Sequence, residues 1–386
     1  MLGYARAMPI PYGRQSIDDA DVAAVVAVLR GDWLTQGPTV SAFEDDLAAA
    51  CEVPYAVAFS SGTAALHAAV HIAGLGPGDE LLTSAITFAA SANCGAYVGA
   101  RPTFADIDLG TRNVSVQTIT AALTPATRCI VPVHFAGLPA PVAAIRAAVG
   151  DNVTIVEDAA HAIGARTPEG PVGSARHSDM VVFSFHPVKT ITSGEGGMVT
   201  TRDRRTAQRL REFRTHGIVK DPARLERHHE GGWHYEQHDL GFNYRLTDLQ
   251  SALGRSQLRK LEPFVTRRNA LATRYRELLG DLDQLELSPA APPGYRHAHH
   301  LFVVRHRQGA QARRRLYDGL HERGILAQVH YAPAYLNPWY ARTYGYSAGL
   351  CPAAETYSAG CLSLPCFPAL SDEEQEKVAA AVRELA

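Results

Sequence analysis

An α/β fold with a mostly parallel central sheet is predicted by two features of the chain. From about residue 55, short apolar runs alternate with helical patterns, and the runs are apolar nearly throughout rather than at every second position. Strands buried on both faces read this way, because the helices that cross between parallel strands cover both sides of the sheet. A third feature, the change of composition at "SPAAPPGYRH" (288–297), predicts that a smaller unit follows.

The elements follow in order. "YAVAFS" (55–60) precedes "TAALHAAVHIAGLG" (63–76), "DELLTS" (79–84) precedes "TFAASANCGAYVGA" (87–100), and "CIVPVHF" (129–135) precedes "PAPVAAIRAAVG" (139–150). The runs "TIVEDA" (154–159) and "MVVFSF" (180–185) continue the series. The stretch 246–280 is helical in pattern, with Pro263 expected to break or kink it. After 297, "HLFVVRH", the helical "AQARRRLYDGLHERG" and "ILAQVHY" suit an α+β unit. Ser371 and Glu374 form an expected capping box at the last helix. The division expected is a large domain over 1–255, N-terminal segment included, and a small C-terminal domain with its connecting helix over 256–386.

Composition excludes several classes of function. The 386 residues are 46% hydrophobic and 20% charged with net charge −2, and no long basic tract offers a footprint for nucleic acid. No segment reaches the roughly 18 apolar residues of a spanning helix, and the first residues lack the apolar stretch of a secretion signal. A cytoplasmic protein is expected, without nucleic-acid or membrane partners. The six cysteines are scattered without a C-x-x-C pair, so reduced structural thiols are expected.

In a parallel sheet the ligand crevice lies beyond the carboxyl ends of the strands, so residues that follow each apolar run carry the chemistry. Ser60, Ser61, Gly62 and Thr63 lead from a strand into a helix, whose free N–H groups suit a phosphate, or equally an ordinary N-cap. Asp158 ends another strand and His161 follows it. The carboxylate suits a bound cationic nitrogen or a structural ion pair, and the imidazole suits an anionic oxygen. Lys189 follows a third strand in "FSFHPVKTITSGEGGMVTT" (183–201). Its glycines come after it, which rules out a nucleotide-triphosphate P-loop. A desolvated lysine there suits Schiff-base chemistry, a plain loop lysine being the alternative, and Gly194, Gly196 and Gly197 are expected to give clearance to a bulky group. Phe88, beside Thr87, offers a face for stacking. A phosphate cradle, an acid for a ring nitrogen and a Schiff-base lysine at strand ends of one sheet together describe a pyridoxal 5′-phosphate site.

The histidine-rich segment "RHHEGGWHYEQH" (227–238) places His234 and His238 four apart, one helical turn, but Glu236 is misplaced for the zinc motif H-E-x-x-H. No metal is expected, and the segment reads as a substrate-facing or solvated loop. No G-x-S-x-G elbow supports a serine hydrolase.

The segments "FSSGTAALH", "ITFAASAN", "EDAAHAIGA", "FSFHPVKTITSGEGGMV", "RTHGI" and "LGFNYRLTDLQSALGRSQL" closely resemble the DegT/DnrJ/EryC1/StrS sugar aminotransferases, which are fold-type I pyridoxal phosphate enzymes. The resemblance runs from about Ile10 to the C-terminus. It implies that Lys189 forms the Schiff base, Asp158 binds the pyridine nitrogen, and Gly62, Thr63 and Ser184 hold the phosphate. It further implies that Phe88 stacks on the ring, His161 lies near the phenolic oxygen, and Asn243 completes the phosphate site of a neighbouring subunit in a homodimer. Within the family, "IPYGRQSI", "WLTQGP", "VPVHFAG" and "FHPVKTITSGEGG" look most like the members acting in pseudaminic acid biosynthesis. Those aminate C4 of a UDP-linked 4-keto-6-deoxy-N-acetylhexosamine, with L-glutamate as donor and 2-oxoglutarate as product. Another keto-sugar nucleotide or an aminocyclitol precursor remains an alternative, because 227–238 and "VHYAPAYLNPWY" (329–340) depart from the pattern. A non-catalytic relative is disfavoured by the retained Lys189 and Asp158. The role of His186 is open.

Overall fold

The computed structural model describes residues 9–227 and 230–386. Seven strands form the central sheet: β1 (Tyr55–Phe59), β2 (Glu80–Ser84), β3 (Arg101–Ala105), β4 (Thr127–Val131), β5 (Thr154–Asp158), β6 (Met180–Ser184) and β7 (Gly197–Thr201). Their order is β1-β7-β6-β5-β4-β2-β3, with β7 antiparallel to both neighbours and the other pairs parallel. The apolar runs at 55, 79, 129, 154 and 180 are therefore strands of one sheet, as expected. The edge strand β3 escaped the sequence reading because Pro102 argues against a strand interior, although an edge tolerates the missing N–H.

Alternate residues along the strands face opposite layers. Val57, Phe59, Val156, Val182 and Val199 pack with the helix Gly62–Ile72 on one side. Ala56, Ala58, Val181, Phe183 and Met198 pack with the helix Pro38–Ala50 on the other. Each fully buried Val or Phe contributes about 1.5–3 kcal/mol, so the continuous apolar runs hold the layers together from both faces. The helix Gly62–Ile72 is buried along most of its length, and its small Ala64, Ala65, Ala68 and Ala69 let it lie close to the sheet.

The stretch 246–280 is two helices, Asp248–Leu258 and Leu261–Leu279. The break falls before Pro263, which then lies in the first turn of the second helix, where its missing N–H forfeits no bond. C-terminal to it, β8 (Leu285–Glu286), β9 (Phe302–His306) and β10 (Cys361–Leu364) form an antiparallel sheet backed by the helices Ala310–Glu322 and Asp372–Leu385. The Ser371 and Glu374 capping box is present. Several contacts tie this unit to the rest, among them an apolar cluster and a strand pair. Phe104 and Phe135 share a cluster with Val303, Tyr335 and Tyr357, and Ile10–Pro11 pairs in parallel with Ile325–Leu326.

Among the described residues no helix is long and apolar enough to cross a membrane. All six cysteines are free and buried.

Candidate active site

A cavity of about 590 Å³ opens beyond the carboxyl ends of β1, β5 and β6. It brings together Gly62, Thr63, Phe88, Asp158, His161, Ser184 and Lys189, which lie far apart in the chain. Asn243 is the exception. It is exposed, pairs with Thr215 in an antiparallel bridge, and does not line the cavity of its own chain.

The cradle starts at Ser61, the N-cap of the helix Gly62–Ile72, whose Oγ accepts from Ala64 N at 3.1 Å. The next N–H groups lie at the positive end of the helix dipole and border the cavity. Gly62 is required by its neighbour, since a Cβ there would come within 2.9 Å of Ser184 Cβ. Two of the three residues expected to hold the phosphate, Gly62 and Ser184, are thus packed against one another.

Lys189 is half-buried on a loop closed by Phe185 N donating to Gly196 O at 2.8 Å and Ser193 N donating to Phe185 O at 3.0 Å. Burial pushes its pKa down to about 8, although Asp158 pulls it upward. The downstream glycines have a different reason from the one expected. A Cβ on Gly196 would meet Ser193 Oγ, and one on Gly197 would lie 2.4 Å from Ser61 O. Gly194 has φ +83°. They close the loop and seat β7 against the cradle; none of the three lines the cavity.

Asp158 is buried and accepts twice on its protein side, from Ala160 N at 3.0 Å and from Ser91 Oγ at 2.5 Å. His161 is buried too, its pKa held well below the ordinary value by burial and by Lys189 and His330. Its ring lies 4.4 Å from that of His300, its Nε2 is 3.4 Å from Tyr331 Oη, and its Nδ1 has no hydrogen-bond partner among the described residues. Phe88 is exposed towards the cavity, 6.3 Å between centroids from Tyr331.

Sequence reasoning did not single out Tyr12, Glu195, His330 or Tyr331, which line the same cavity. Tyr331 and His330 lie in "VHYAPAYLNPWY" (329–340), one of the two segments that depart from the family pattern. His186 also borders the cavity; its carbonyl accepts from Lys189 N at 2.9 Å.

The histidine-rich segment, read from sequence as a loop, contains no helix among its described residues. Glu236–Gln237 is a short strand paired with Ile218–Val219, and Glu236 gathers the neighbourhood. It accepts from the backbone N of Glu226 and Arg227 at 2.7 and 2.8 Å and from His238 Nε2 at 2.7 Å. These bonds hold its carboxyl down at about 2, with His238 the largest cause. His228 and His229 lie outside the described residues. Among the described residues, no three His, Cys, Asp or Glu side chains converge as a metal-ligand set.

The cavity fits a phosphorylated aromatic aldehyde on two counts of its own. A glycine-dependent anion cradle stands at one side, and a buried imidazole that lines the cavity has one nitrogen without a partner among the described residues. The fold and this crevice together define a pyridoxal-phosphate-dependent aminotransferase. The chain belongs to the DegT/DnrJ/EryC1/StrS aminotransferase family, whose pattern matches residues 15–383. It is similar to the spore coat polysaccharide biosynthesis protein SpsC of Bacillus subtilis, at 37% identity over 381 residues and 97% of each chain. Among solved structures, Helicobacter pylori PseC, an aminotransferase involved in the biosynthesis of pseudoaminic acid, superposes with TM-score 0.90. The identity is 29%, covering 98% of this chain and 99% of that one. Spr1654 of Streptococcus pneumoniae in its PLP form gives TM-score 0.89 at 26% identity, covering 98% and 100%.

Proposed function

We propose that this sugar aminotransferase transfers the amino group of L-glutamate to C4 of a UDP-linked 4-keto-6-deoxy-N-acetylhexosamine, releasing 2-oxoglutarate. The observation that carries the reading is Lys189: an amine whose pKa burial pushes down to about 8, at a cavity shared with Asp158, His161 and Phe88. The likeness to PseC over nearly the whole of both chains supports the choice of sugar.

When bound, pyridoxal phosphate supplies the electron sink that lets a C–H bond next to nitrogen break. Gly62, Thr63 and Ser184 would hold the phosphate, Phe88 would cover the ring, Asp158 would partner the ring nitrogen, and His161 would meet the phenolic oxygen. Lys189 Nζ takes the proton from the α-carbon of glutamate, and in the second half-reaction delivers one to C4 of the sugar. One base serving both atoms requires a neutral amine near neutral pH, which burial provides.

The working unit in this reading is a cytoplasmic homodimer in which Asn243 completes the partner's phosphate site. Exposed Trp233, Tyr235, Leu240 and Phe242 beside it are apolar surface suited to covering by a second copy. The chain divides near residue 255 into a cofactor-binding part and a smaller part that closes over the sugar.

The test is to incubate the protein with glutamate and the UDP-linked 4-keto sugar and look by mass spectrometry for replacement of the carbonyl by an amine. Amination of a different keto-sugar nucleotide or of an aminocyclitol precursor, with this sugar untouched, would overturn the substrate. Loss of the visible absorbance band in Lys189→Ala checks the lysine independently.

A further inference from the structure

We propose that Ser91, with Thr87 behind it, is a positioning residue for the transamination: a directed hydrogen-bond chain that fixes the Asp158 carboxylate for the cofactor's ring nitrogen. This rests on the reading that Asp158 meets that nitrogen.

Thr87, Ser91 and Asp158 are all buried, Ser91 completely. Ser91 Oγ lies 2.5 Å from Asp158 Oδ2, and Thr87 Oγ1 lies 2.6 Å from Ser91 Oγ. A carboxylate only accepts, so the Ser91 hydroxyl proton is committed to Asp158. With that proton used, the Thr87 hydroxyl must be the donor in the second bond. The chain therefore runs one way, from Thr87 through Ser91 to the carboxylate.

The local geometry explains why one short segment does this. Ser91 N donates to Phe88 O at 3.2 Å, beginning the helix Ala90–Tyr97, and residues 87 and 91, four apart, share one side of the turn. Phe88 is exposed at the cavity. A single turn thus supplies the ring's apolar cover and the donor that aims the carboxylate beneath it.

Asp158 consequently has each oxygen held by one protein donor, Oδ1 by Ala160 N at 3.0 Å and Oδ2 by Ser91. Its rotation is fixed, and lone pairs are left for the cavity side. A hydrogen bond to a charged acceptor is about twice as strong as a neutral one, so the Ser91 donor holds the carboxylate's orientation firmly. Without Ser91, Oδ2 loses its protein donor and the carboxylate is held by Ala160 N alone.

The test compares Ser91→Ala, Thr87→Val, Thr87→Ser and Asp158→Asn with the wild type in the assembled enzyme. It measures kcat and KM for glutamate and the dissociation constant of pyridoxal phosphate by dialysis. Ser91→Ala should lower kcat about tenfold to a hundredfold and weaken retention of the cofactor, with KM for glutamate changed less than about threefold. Thr87→Val, nearly isosteric, should lower kcat by a smaller factor, and Thr87→Ser, which keeps the hydroxyl, should match the wild type. Wild-type kcat and cofactor retention in Ser91→Ala, beside an inactive Asp158→Asn, would overturn the chain and leave the role of Asp158 standing. An active Asp158→Asn would overturn both. Equal losses in Thr87→Val and Thr87→Ser would show packing rather than the hydroxyl at work, and would also overturn the chain.

Discussion

Lys189 faces two opposed influences. Burial disfavours its ammonium, the nearby Asp158 favours it, and burial wins, leaving the pKa at about 8 against the ordinary 10.5. Because the folded value lies below the unfolded one, native and unfolded chains bind the proton equally only below about 8 or above about 10.5. In between, the unfolded chain takes up a proton that the native chain refuses. Stability therefore falls as pH drops through that window, and the cost is complete below it. The chemical return is a neutral amine where an ordinary lysine would have almost none. The rate at which cofactor-free protein captures pyridoxal phosphate should climb steeply as pH rises through about 8 and then level off. Stopped-flow absorbance checks this, and a rate still climbing towards pH 10 would mean an unperturbed lysine. The residues of this site were legible where a strand end announced them, as at Gly62, Asp158 and Lys189, whereas Ser184 came only from the family resemblance. Ser91 was hidden because a serine inside "TFAAS" has no signal until the fold sets it against a carboxylate 67 positions away. Tyr12 and Tyr331 were hidden for a similar reason, entering the crevice from opposite ends of the chain.

At the level of elements, the antiparallel β7 joins the lysine loop to the phosphate cradle. It runs between β1, which leads into the cradle, and β6, which leads into the lysine. Gly197 begins it, paired with both Phe59 and Ser184, and has no room for a side chain because a Cβ would lie 2.4 Å from Ser61 O. The obstacle is backbone, which cannot swing aside. Gly197→Ala should therefore cost about 1–3 kcal/mol in urea unfolding and weaken cofactor binding at the same time. Full stability would show that β1 and β7 can slide apart. Apolar runs bounded by turn residues revealed five of the seven strands directly. The two it did not assign each carry a mark against the pattern: Pro102 in β3, and the paired threonines of β7 behind a glycine cluster. The helix break before Pro263 was displaced for a comparable reason. The sequence marks a proline, but its tolerated place in a first turn depends on where the helix starts.

For the whole molecule, the open question is whether one chain holds a complete site. Six of the residues named from sequence line the cavity with Lys189, whereas Asn243 lies outside it, on an exposed stretch with Leu240 and Phe242. The stretch is anchored from within, since Ser60 N donates to Tyr244 O at 2.8 Å and Thr215 bridges Asn243. Asn243 is therefore held at a fixed place on the surface, next to the backbone that enters its own chain's cradle. An exposed apolar patch with a polar residue at a fixed position suits a two-fold contact, in which each copy presents the same patch to the other. In such a dimer each site takes Lys189 from one chain and Asn243 from its partner. Lys189→Ala and Asn243→Ala should each be impaired alone at limiting pyridoxal phosphate. When equal amounts are unfolded together and refolded, half of the dimers are mixed, and each mixed dimer holds one site with both residues intact. Activity should then return to roughly a quarter of the wild type. If Asn243 served its own chain, no mixed dimer would contain an intact site, and the mixture would stay at the level of the separate variants.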